Sequence, residues 1–136
     1  MNPLLDQLRT DALWLFEDRG FKVIGESYEP KAFGNCVVVL QSGQIKIRFS
    51  SDRGQIFAEL ESLVAPKEWW DVIFLLEAIR GTIPQPTFDL QEVGSLLREN
   101  FTDLIESLGP NWAQTRQVLQ RRRQERLEAL RTGGKN

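Results

Sequence analysis

The chain has 136 residues, 41% hydrophobic and 26% charged, with a net charge of −2, the mixture expected of one soluble globular domain rather than of a disordered or membrane protein. Its longest apolar run, residues 72–76, falls far short of the roughly 20 residues that a bilayer span needs. There is no histidine, so an imidazole base, a Ser/His or Cys/His pair and a histidine metal ligand are all excluded.

Asn2 is placed to cap a helix with Pro3 at its first position, and Leu5, Leu8, Ala12, Leu15 and Phe16 recur at helical spacing as far as Gly20. The opening is acidic and amphipathic instead of a basic n-region, so neither an export signal nor a membrane span is expected. Trp14 falls off the stripe and reads as a contact beneath another element. Residues 21–24 are β-prone and residues 26–30 turn-rich, which predicts a short first strand followed by a loop.

Residues 34–61 read as two successive hairpins. Ile45, Ile47 and Phe49 alternate with Gln44, Lys46, Arg48 and Ser50, the period of a strand with one face buried. A two-residue turn at Ser42-Gly43 would pair Leu40 with Ile45 and Val38 with Ile47. A second loop over residues 51–54 would pair Phe49 with Ile56, Ile47 with Ala58 and Ile45 with Leu60. All three strands then put their apolar sets on one side, with Lys46 opposite Glu59 and Arg48 opposite Phe57 on the other. Residues 37–40 are apolar on both faces, the pattern of a strand inside a sheet. Cys36, the only cysteine, allows no internal disulfide; it reads as a small buried hydrophobe in a reducing cytoplasm.

Ala65-Pro66 is expected to open a second helix, with Pro66 at its first position, running through Trp69 and Trp70 to Gly81. That helix is apolar nearly all round, so it belongs in the core or at the seam of a homodimer, with one of the two tryptophans reaching the surface. Pro84 and Pro86 mark residues 81–88 as an extended connector. Asp89 with Glu92 resembles a capping box before a third helix whose stripe is Leu90, Val93, Leu97, Phe101, Leu104, Ile105 and Leu108. Gly109-Pro110 ends it, and Asn111 caps a fourth helix with an apolar seam of Trp112, Val118, Leu119, Leu127 and Leu130. Residues 132–136 read as a frayed tail. The expected fold is therefore α+β: a four-stranded antiparallel meander covered by the first helix and the tryptophan helix, then an antiparallel helical pair, all within one domain.

Charge is split along the chain. Residues 1–109 carry 10 Lys/Arg against 17 Asp/Glu, net −7, whereas residues 110–136 carry 7 against 2, net +5. Arg121, Arg122, Arg123 and Arg126 could contact a polyanion, but the expected use of these arginines is to solvate the helix and fold back on the acidic body, because the basic balance and stacking aromatics of a nucleic-acid binder are missing. Asp52 and Arg53 sit where a hairpin tip would present them to a partner, although Asp and Gly54 also satisfy ordinary turn chemistry. Phe57, Glu59, Glu61, Trp69 and Trp70 complete the candidate partner-binding set. Glu59 and Glu61 also admit a carboxylate-only enzyme; no metal or cofactor motif accompanies them.

The succession Gly20-Phe21-Lys22-Val23 after a helix end, Gly34-Asn35-Cys36-Val37-Val38-Val39-Leu40, Ile47-Arg48-Phe49, Asp52-Arg53-Gly54-Gln55 and Trp69-Trp70 resembles small bacterial α+β proteins, some of them immunity proteins of polymorphic or contact-dependent toxins. The resemblance covers about residues 13–80. It implies a non-catalytic cytoplasmic binder with an acidic surface that neutralises another protein by occluding it. A secretion-chaperone-like dimer that holds a secreted polypeptide is the alternative.

Overall fold

The computed structural model describes residues 2–82 and 84–132. Helix α1 (Pro3–Asp11) starts where Asn2 was expected to cap it: Asn2 Oδ1 accepts from the amides of Leu4 (3.1 Å) and Leu5 (3.2 Å). The same side chain donates through Nδ2 to the Ser27 carbonyl at 3.0 Å, so one residue both caps the helix and ties it to the sheet. The expected continuous helix breaks at Ala12, and α2 (Leu13–Glu17) carries the second part of the stripe.

Five strands follow, β1 (Lys22–Glu29), β2 (Asn35–Gln41), β3 (Ile45–Asp52), β4 (Gln55–Ser62) and β5 (Trp69–Asp71). All pair antiparallel and in sequence order, so the α+β meander is as expected, with one strand more. β1 runs through the segment read as a loop, because Glu26 to Glu29 find ladder partners from Val38 to Asn35 and pairing overrides turn propensity. A bulge at Ile24 interrupts the β1 ladder, and β1 is an outer strand of the sheet. Bulges and charged residues such as Lys22 and Glu26 discourage edge-to-edge pairing of such strands.

Both hairpin registers differ from expectation by two residues. Ser42 N donates to Ile45 O (3.0 Å), so Gly43-Gln44 are the central turn residues and Leu40 pairs with Ile47, Val38 with Phe49. In the second hairpin Asp52 pairs with Gln55, leaving Arg53 (φ 54°) and Gly54 (φ 86°) as a two-residue turn. Both central residues are left-handed, as the twist-matched type I′ turn demands. Phe49 therefore faces Ala58, Ile47 faces Leu60, and Ile45 faces Ser62. Because side chains alternate with period two, a two-residue shift keeps every apolar side chain on its expected face.

The tryptophans are not helical. Trp69 and Trp70 pair with Glu61 and Leu60, and α3 (Val72–Arg80) begins after Asp71, whose carboxylate accepts from the amides of Ile73 (2.8 Å) and Phe74 (3.4 Å). Aspartate is a strong N-cap and tryptophan a good strand residue, which outweighs the proline signal at residue 66. Gly81 (φ 78°) closes the helix. Beyond it residues 84–88 form neither helix nor strand, and Phe88 O accepts from Ile56 N (2.8 Å) on β4.

The expected third helix is also two, α4 (Leu90–Glu99) and α5 (Phe101–Leu108), interrupted at Asn100, whose side chain bonds back to Leu96 O (2.8 Å). Asp89 caps Gln91 N (2.9 Å), but Glu92 accepts from the Thr87 hydroxyl rather than completing the box. Helix α6 (Trp112–Thr132) lies on α3 and α5, so the expected helical pair is a larger cluster; residues 133–136 of the expected tail lie outside the described residues.

The core sits between the sheet and its helices. Val38, Leu40, Ile45, Ile47, Phe49, Ala58 and Leu60 face α1, α3 and α4, which bring Leu4, Leu8, Leu75, Leu76, Val93 and Leu97. Val72, Leu75 and Leu76 of α3 are buried within a single chain, so this helix needs no second copy to cover its core face; Phe74 is half-buried.

Candidate functional site

The helices cover one face of the sheet and leave the other partly exposed. The strand registers arrange that open face in rows: Gly25, Val39, Arg48, Glu59 and Asp71 form one, Ser27, Val37, Ser50 and Phe57 a second, and Gln41, Lys46, Glu61 and Trp69 a third. Arg48 is central. Its Nε and Nη2 donate to Glu59 Oε1 at 3.0 and 2.8 Å, while its guanidinium lies 4.4 Å over the Trp69 ring from the neighbouring row. The two-residue register shift creates this cluster, since Arg48 faces Glu59 instead of Phe57.

Glu61 is buried and structural. It accepts from Lys67 N (3.0 Å) and lies 3.5 Å from Lys46 Nζ, which pins the β4–β5 loop at the point where Lys67 takes a positive φ of 72°. Phe57 makes an edge contact with Phe88 (5.5 Å) and lines a cleft of about 200 Å³ beside the connector. Among the described residues no cluster of three metal-ligating side chains occurs.

The remaining candidates lie elsewhere. Asp52 is exposed at the end of β3, and the Arg53 guanidinium stacks 4.5 Å over Phe33, a residue 73% exposed. Asn35 Oδ1 accepts from Arg53 N (3.1 Å), so the hairpin tip is braced by the β1–β2 loop. Trp70 belongs to the opposite face, 3% exposed, stacked on Phe74 at 5.8 Å. Of the arginines, Arg122 and Arg126 bind Glu77, Arg123 lies 4.3 Å over Trp70, and Arg121 is exposed. The structure thus gathers Phe57, Glu59, Glu61 and Trp69 on one face, with Asp52 at the hairpin end of that face, and puts Arg53 in the turn, Trp70 on the opposite face and Arg121, Arg122, Arg123 and Arg126 on α6.

Comparison with protein-family models, curated proteins and solved structures finds no match. The site rests on its own geometry. Val37 and Val39 join the site without a motif to mark them; their one signal in the sequence is the run of apolar residues on both faces of β2, and the face without helices shows them half-exposed. Gly25 lies beside Val39 and keeps that part of the surface low, since a Cβ there would already touch the Val39 side chain at 3.9 Å.

Proposed function

We propose that this chain is a non-catalytic protein-binding module whose docking surface is the open sheet face around Arg48 and Trp69. The observation that carries the reading is the Arg48 cluster: an arginine held by a carboxylate and an indole, with Val37, Val39 and Phe57 around it. Arginine and tryptophan on a rigid element lose little freedom on binding, and they dominate interface energetics. Glu59 and Glu61 each have a basic partner, which favours a structural role over a catalytic one. The finer reading, drawn from the sequence resemblance and the acidic body, is a bacterial immunity-type protein that occludes a cognate toxin in the cytoplasm.

Affinity capture with the tagged chain tests it. Wild type and Arg53→Ala are expected to retain a common partner that the folded double variant Val39→Glu/Trp69→Ala loses. Identical capture by all three would remove the open face from consideration.

A further inference from the structure

Helix α6 is held in two different ways along its length. Its first half is anchored by apolar burial of Trp112 and Leu119, with Thr115 between them. Beyond Leu119 no residue of α6 is buried, and its contacts with the body are made by guanidinium groups. Arg123 lies 4.3 Å over Trp70 and Arg126 lies 4.5 Å over Phe74, while Arg122 Nη1 (3.1 Å) and Arg126 Nη2 both donate to Glu77. Leu127 and Leu130, expected in the apolar seam, are instead 51% and 80% exposed.

The receiving surface is built by β5 and α3. Phe74 and Glu77 lie three residues apart on α3, one above the other, and Trp70 from β5 stacks on Phe74 with the two rings nearly parallel at 16°. Glu77 is 6% exposed, and a carboxylate that deep needs a cation, because an unpaired buried charge is strongly unfavourable. Aromatic faces beside a carboxylate favour a planar, weakly hydrated guanidinium over an ammonium. We propose that Trp70, Phe74 and Glu77 form a guanidinium-binding site that α6 occupies in cis, and that an arginine-bearing helical segment of another protein takes the same site when the second half of α6 lifts away. The site lies on the helix-covered side of the sheet and does not depend on the open-face reading.

The triple variant Arg122→Ala/Arg123→Ala/Arg126→Ala vacates the site in the full chain. A labelled peptide of residues 116–132 of this chain serves as the probe, followed by fluorescence anisotropy at low salt. It is expected to bind the folded triple variant at least about tenfold more tightly than wild type, and to lose about tenfold on adding Glu77→Gln or on raising the salt to screen the charges. Absence of binding to the folded triple variant, or equal binding to all forms, overturns the proposal. If the triple variant does not fold, hydrogen exchange on wild type decides. Amides of residues 122–132 should exchange faster at high salt while those of residues 112–119 stay protected; salt-independent exchange across residues 122–132 overturns it.

Discussion

Arg48 separates two quantities that are often conflated. Its pair with Glu59 is about one-third exposed on both sides, so it contributes little to folding, and Arg48→Ala should change stability by less than about 1 kcal/mol in a denaturant titration. If the open face is the docking surface, the same substitution should weaken partner binding by about 2 kcal/mol or more, because an arginine held on an indole in a rigid sheet is the kind of side chain that anchors an interface. Core residues behave in the opposite way. Leu75→Ala should cost about 2–5 kcal/mol by the same titration, and Phe74→Ala distinctly less, since Leu75 is fully buried whereas Phe74 is half-buried under arginine. Sequence periodicity could not rank these two. A helix that is apolar all round gives no direction, and the side of α3 toward Phe74 is covered by charged side chains that a hydropathy pattern counts as surface. The same limit applied to the tryptophans. Whether Trp69 or Trp70 faces the core follows from strand alternation once they lie in β5, and a helical period assigns them no such opposition.

Elements that rest on strong local chemistry were legible. Asn2 as a cap, Gly81 as a helix end and the three alternating strands all stand where residue type and period put them. Asn2→Ala is expected to cost about 1–2 kcal/mol in thermal or chemical melts, toward the upper end for a cap because the amide also holds the Ser27 carbonyl. Breaks within an apolar stripe were not legible. The stripe of the first helix continues past Ala12 and that of the third past Asn100, so periodicity alone reads each pair of short helices as one. Turn centres were missed for a related reason: Ser42-Gly43 and Gly43-Gln44 both place glycine in the turn, and both keep the apolar faces together. The second turn offers a direct check. Arg53 is a side-chain-bearing residue at φ 54° before a left-handed glycine, and Arg53→Asn would create the preferred type I′ pair. It should raise the denaturant midpoint by an amount corresponding to about 0.5 kcal/mol; a lowered midpoint would mean that stacking on Phe33 outweighs the backbone preference.

At the scale of the molecule, the charge split along the sequence becomes a contact. The basic last helix lies against the acidic body through Arg116 with Glu68 (3.0 Å) and through the two arginines on Glu77, an arrangement that composition alone had made the preferred reading. Which carboxylates receive it was not accessible from composition, because Glu77 looked like one polar residue on an otherwise apolar helix. The succession of strands has a different consequence, for the rate at which the molecule is made. Each strand pairs only with its neighbours in the chain, so no sheet contact waits for a long loop to close. The helices close over longer separations, as when Asn2 meets the Ser27 carbonyl and Ser62 Oγ donates to the Leu108 carbonyl. Refolding from denaturant should therefore protect amides of β2, β3 and β4 early, within milliseconds, and those of α6 last. Pulse-labelled hydrogen exchange orders these events, and early protection of α6 would place the nucleus among the helices instead of in the meander.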